Sequence, residues 1–99
     1  MVSYRLLYSE TSCNQLKQLH PALKAIIRSR LDQLSKEPFI GKRLERELSG
    51  YWSLRARRFR IIYKVNEAKQ IIEIHYVGHR KDVYELLTEK ADRSILGGI

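Results

Sequence analysis

Four arginines, Arg55, Arg57, Arg58 and Arg60, fall within six residues of a segment that reads Tyr-Trp-Ser-Leu-Arg-Ala-Arg-Arg-Phe-Arg-Ile-Ile-Tyr from residue 51 to residue 63. A guanidinium is a planar fork of donors that stays charged at any working pH. Several on one surface therefore match the oxygens of phosphate groups. The spacing implies β-structure: Trp52, Leu54 and Ala56 fall on one face, and after a reversal near Arg57 and Arg58 the period of two continues through Phe59, Ile61, Tyr63 and Val65. The opposite face carries Tyr51, Ser53, Arg55, Arg60, Ile62 and Lys64. A phosphate site and a merely solvated basic face both suit this pattern.

A second cluster, Val77-Gly78-His79-Arg80-Lys81-Asp82-Val83-Tyr84, lies where a later strand leaves the sheet, a place where the sheet fixes a residue and the loop supplies reach. From there Arg80 and Tyr84 can point over the same concave face as Arg60. His79 is of the residue type that most often serves in proton transfer, although a lone histidine in a turn also suits a structural role. Tyr84 serves equally to stack on a base or to pack a terminal helix. Other chemistries lack their motifs. Histidines 20, 75 and 79 do not have the spacing of a zinc site, no glycine-rich nucleotide loop is present, and no serine or cysteine occupies a nucleophile elbow. No metal or cofactor is expected. Cys13 is the only cysteine, which excludes an internal disulfide and suits a reducing compartment; its position on a helical apolar stripe reads as a buried thiol.

The elements that must hold these residues follow from periodicity. Residues 2 to 8 read as a strand with Tyr4 and Leu6 turned inward. A short helix from about Glu10 to His20 carries Cys13, Leu16 and Leu19, with Ser9 or Thr11 as its cap. A second helix opens at Pro21, follows Leu23, Ile26, Ile27, Leu31 and Leu34, and stops at Glu37-Pro38. Residues 38 to 50 read as a loop. Strands are expected at 51–57, 59–66 and 70–77, the last alternating Ile72, Ile74 and Tyr76 against Glu73 and His75 and ending at Gly78, before a terminal helix from Asp82 to Asp92. The order β-α-α-β-β-β-α defines an α+β fold: helices on one face of a four-stranded antiparallel sheet, arginines on the other. At 99 residues the chain is expected to be one domain, 1–99. Its net charge of +8 and pI of about 9.9 favour a polyanionic partner. The charge is concentrated: residues 42 to 64 hold eight Lys or Arg against Glu45 and Glu47. No signal peptide or membrane-length apolar run is evident, so a cytoplasmic protein without membrane contact is expected.

The phrase Phe59-Arg60-Ile61-Ile62-Tyr63-Lys64-Val65, followed by Val77 to Tyr84 and preceded by Leu48-Ser49-Gly50-Tyr51-Trp52, resembles the RelE branch of the RelE/ParE superfamily of bacterial toxin-antitoxin toxins. The resemblance implies a RelE-like fold and a toxin that enters the ribosomal A site and cuts mRNA without a metal, held inactive in a hetero-oligomer with a cognate antitoxin. By the same resemblance Arg60 contacts the scissile phosphate, Arg80 stabilises the transition state and Tyr84 positions the nucleotide. Arg55 matches a basic position of the second strand. Arg57, Arg58, Lys64 and Lys81 are further expected RNA contacts, His79 is a candidate for proton transfer, and Val83, Leu86 and Leu87 form the expected antitoxin-docking stripe. One departure stands out. Tyr51 and Ser53 occupy positions where many relatives carry lysine, which leaves the general base open. The alternatives are a ParE-like inhibitor of DNA gyrase without enzymatic activity, and an inactive basic binding module.

Overall fold

A computed structural model of the chain describes residues 3–79 and 95–97. The chain runs through β1 (Arg5–Ser9), α1 (Glu10–Lys17), α2 (Pro21–Lys36), β2 (Lys42–Arg43), a one-turn 3-10 helix (Arg46–Leu48), β3 (Trp52–Ala56), β4 (Phe59–Asn66), β5 (Ile71–His79) and β6 (Ile95–Gly97). The strands form one sheet in the order β2-β3-β4-β5-β1-β6.

Local chemistry accounts for the helix ends. Ser9 caps α1, its hydroxyl accepting from the Ser12 N–H at 3.1 Å. His20 caps α2 through Nδ1, which accepts from the Ala22 N–H, and Pro21 occupies the first turn where its missing N–H costs nothing. The helical stripe Leu16, Ile27, Leu31 and Leu34 packs on Leu54, Ala56, Ile61, Tyr63, Ile72, Ile74 and Val77. Leu34, Ile61, Ile72 and Ile74 are fully buried, each contributing roughly 1.5–3 kcal/mol. Cys13 is only half-buried, so the buried thiol expected of it is not found.

The α+β architecture matches expectation, but the sheet has six strands rather than four, with β6 pairing antiparallel with β1 at one edge, and four further details differ. First, β3, β4 and β5 pair antiparallel through short turns, but β1 lies parallel to β5, with Leu6 opposite Ile72 and Tyr8 opposite Ile74. The antiparallel rule holds only for strands joined by tight turns, and β1 is followed by two helices that free its direction. Second, the segment expected to be a loop contains the edge strand β2 and the 3-10 turn. Third, β5 continues through Gly78 to His79. The terminal helix expected from Asp82 to Asp92 lies outside the described residues.

The fourth difference is a bulge. Ile62 pairs with Tyr76 and its neighbour Tyr63 with Ile74, so His75 is skipped. The extra residue inverts the alternation: Ile72 and Ile74 face the helices, but Tyr76 turns to the other side with Tyr51 and Ile62. The cap and one side of α1 support the bulge. The Ser12 hydroxyl donates to the Ile74 carbonyl at 2.8 Å, the Ser9 hydroxyl donates to the His75 carbonyl at 2.9 Å, and the Val77 N–H donates to Gln15 Oε1 at 2.7 Å. These side chains satisfy β5 backbone groups at and beyond the last β1 partner, Ile74.

Candidate phosphate-binding face

The sheet face turned away from the helices carries the arginines. Arg55 and Arg60 are direct cross-strand partners on β3 and β4, and Arg60 in turn faces Gly78 on β5. Like charges directly opposite one another destabilise a hairpin, so this pairing is a local cost that an incoming anion relieves. Among the described residues the ion pairs are Lys36–Asp32 and His75–Glu73; neither neutralises Arg55, Arg57, Arg58 or Arg60. The Arg60 guanidinium leans across the sheet, and its Nη1 donates to Ser53 Oγ at 3.4 Å. Ser53 is buried, 3% exposed.

The hairpin tip is a second basic locus. Ala56 pairs with Phe59, leaving Arg57 and Arg58 as a two-residue turn, and Arg57 adopts a positive φ of 59°. The Arg55 Nε donates to the Arg57 carbonyl at 3.3 Å. From α2, Arg30 donates through Nε and Nη2 to the Arg55 carbonyl at 3.2 and 3.0 Å and through Nη1 to Gln33 Oε1. Ile26, Arg30, Arg55, Ala56, Arg57 and Arg58 line a shallow cleft of about 680 Å³. Arg30 escaped the sequence reading, although its place flanking the apolar stripe of α2, four residues after Ile26, carried the signal.

Lys64 is not gathered with the arginines. It stands four residues beyond Arg60 on β4, about 13 Å along the strand, with its ammonium 4.5 Å from the Tyr51 ring centre. Between them sits an apolar island of Tyr51, Ile62 and Tyr76, with Leu44 and Leu48 packed on it. The Tyr76 ring lies over Gly78; a Cβ on Gly78 would stand 2.6 to 2.9 Å from ring and hydroxyl atoms. Tyr76 thus borders Arg60 through Arg60's cross-strand partner, a placement created by the bulge and absent from the alternation.

His79 lies opposite Phe59, on the helix side of the sheet, with ring centres 4.6 Å apart. It therefore does not share the face of Arg60. His75 is buried beside Tyr51, its Nε2 3.2 Å from Glu73 Oε1; burial holds its pKa below the usual histidine value, and Glu73 partly opposes this. Arg80, Lys81, Tyr84 and the stripe Val83, Leu86 and Leu87 lie outside the described residues. Among the described residues no group of His, Cys, Asp or Glu is placed to hold a metal ion, and no helix is long and apolar enough to cross a membrane.

A mixed sheet covered on one face by a helical hairpin, with unneutralised arginines on the other, defines a small basic α+β protein. Residues 5–84 match the family model described as the ParE toxin of type II toxin-antitoxin system, parDE, and the chain belongs to this family of toxins. Toxin RelG of Mycobacterium tuberculosis is 34% identical over 83 residues, spanning 82% of this chain and 95% of the relative. Among solved structures, the toxin-antitoxin complex RelBE2 of the same organism superposes with a TM-score of 0.72 at 32% identity, covering 80% of this chain and 100% of the matched one. The intact E. coli RelBE complex gives 0.69 at 19% identity, covering 78% and 96%, which supports the fold.

Proposed function

We propose that this toxin is a ribosome-dependent mRNA interferase acting in the cytoplasm and restrained by a cognate antitoxin in a hetero-oligomer. The observation that carries the reading is the Arg60 guanidinium, aimed at Ser53 beside the facing Arg55 and free of any carboxylate among the described residues. In the reaction, the substrate's 2'-oxygen bonds to the adjacent phosphorus as the bond to the 5'-oxygen breaks. A proton leaves the 2'-hydroxyl, another reaches the 5'-oxygen, and the products are a cyclic phosphate and a free 5'-hydroxyl. The passing phosphorane carries extra negative charge, and a fixed guanidinium stabilises it without reorganisation. Arg60 performs this step; Arg55, Arg57 and Arg58 neutralise neighbouring backbone phosphates. The proton transfers fall to the segment from Val77 to Tyr84 or to ribosomal RNA. The RelBE complexes among the structural relatives support an antitoxin partner, and the +8 charge favours an acidic one.

The test is cleavage of mRNA on programmed ribosomes. Wild-type protein should cut within the A-site codon, and Arg60→Ala should lower the single-turnover rate about 10²–10³-fold without lowering the melting temperature, since the change also removes a like-charge pair. Intact mRNA with wild-type protein would overturn the reading. Inhibition of DNA gyrase is the second reading, favoured by the ParE family match. Loss of gyrase supercoiling on adding wild-type protein, with mRNA left intact, would establish it instead.

A further inference from the structure

The cation that completes the Arg60 site comes from the edge strand. Lys42 on β2 is the direct cross-strand partner of Ser53 on β3, and cross-strand partners share a face with Cβ atoms about 4.5–5.5 Å apart. Ser53 Oγ is the atom that receives the Arg60 Nη1. Arg60 leans toward the serine from β4, and Lys42 stands on the other side of it on β2, with a stem long enough to reach over it. Lys42 is exposed, and neither ion pair among the described residues involves it.

The backbone fixes this placement. β2 is only two residues long, which by itself would hold a side chain poorly. The preceding residue, Gly41, anchors it: its N–H donates to the buried Tyr63 hydroxyl at 3.0 Å, and a Cβ at that position would collide with the same hydroxyl and lie 2.9 Å from the Ser53 carbonyl. Burial raises the Tyr63 phenol to about 12, so this acceptor stays protonated and in place throughout the working pH range. The strand therefore enters the sheet at closest backbone approach, one residue before the lysine, and Leu44 closes it with an N–H bond to the Tyr51 carbonyl at 2.9 Å. Arg43, by contrast, pairs with Trp52 on the helix side and stands 5.7 Å from its ring centre, so of the two cations on β2 only Lys42 faces Arg60.

We propose that Lys42, Ser53 and Arg60 form one phosphate-binding site, in which the lysine ammonium and the arginine fork hold the same backbone phosphate of a single-stranded RNA above the serine hydroxyl. The assignment rests on the reading of the protein as an RNA-cleaving toxin, and it makes Lys42 a substrate contact.

The test uses the full chain and a short single-stranded RNA blocked by a 2'-deoxy nucleotide, with binding followed by fluorescence anisotropy across a salt series. Lys42→Ala should weaken binding about tenfold and flatten the salt dependence by about 0.7 in log-log slope, the signature of one lost phosphate contact. Lys42→Arg should retain most of the affinity. Lys69→Ala, which removes one charge from the turn between β4 and β5, should change affinity less than about twofold. Combining Lys42→Ala with Arg60→Ala should cost less than the product of the single losses, because both groups hold one phosphate. A Lys42→Ala protein that binds like Lys69→Ala, or a double variant whose losses multiply, would overturn the shared site. The same variants on programmed ribosomes separate the two claims. If wild type and Lys42→Ala cut mRNA equally and bind equally, the site fails and the interferase reading stands. If Lys42 and Arg60 couple in binding while mRNA stays intact, the site stands and the interferase reading fails.

Discussion

Arg60 works through its neighbours on the sheet face: Arg55 opposes it, Gly78 faces it, and Ser53 receives its Nη1. Gly78 has a specific steric task here, because it leaves room for the Tyr76 ring to lie flat over the strand. Gly78→Ala should displace that buried ring and destabilise the protein by about 1–3 kcal/mol, read as a lower urea midpoint. An unchanged midpoint would mean that the ring shifts freely. The serine and the arginines of this face were legible in the sequence from period-two spacing alone. Tyr76 and Lys42 were not. The first is rotated by a bulge, and the second sits on a strand too short to show any alternation.

At the level of elements, the β3–β4 hairpin gives up stability to present charge. Arg57 occupies a turn position with φ 59°, a conformation that costs a side-chain-bearing residue about 1–2 kcal/mol. Arg57→Gly should therefore raise stability by about 0.5–1 kcal/mol in denaturant melts, part of the gain being offset by the greater freedom of glycine in the unfolded chain. The same change should weaken RNA binding, since it removes a cation from the tip. A variant that is more stable and binds RNA as well as wild type would show that the tip arginines are only solubilising. The helical hairpin was readable from its stripe and its caps, down to Pro21 in the first turn. The parallel entry of β1 was not, because nothing local in Arg5–Ser9 encodes which strand it will meet.

For the whole molecule, two features govern the response to conditions. The net charge of +8 should make binding to nucleic acid weaken steeply with salt. His75 makes folding sensitive to acid. Its native pKa is held below the ordinary value of 6.5, so above that pH the ring is neutral in both folded and unfolded states. As pH falls below it, the unfolded chain takes up a proton that the native state resists, and stability drops until the native pKa is passed. Urea melts should show lower stability at pH 5.5 than at pH 7.5, and His75→Gln should flatten that difference. An equal pH dependence in the variant would assign the effect to other groups.

The sequence by itself determined the α+β class, both helices, the β3–β4 hairpin and the cationic face, because periodicity, capping and charge spacing are local properties written in neighbouring residues. The tertiary structure decided the rest. It laid β1 parallel to β5, placed a bulge at His75 that turns Tyr76 outward, and set Lys42 across from Ser53. Each of these is a pairing between residues distant in the chain. Such pairings are selected by which backbone groups find partners and which side chains fit, as the Ser9 and Ser12 hydroxyls at the bulge and the Gly41–Tyr63 contact beside β2 show.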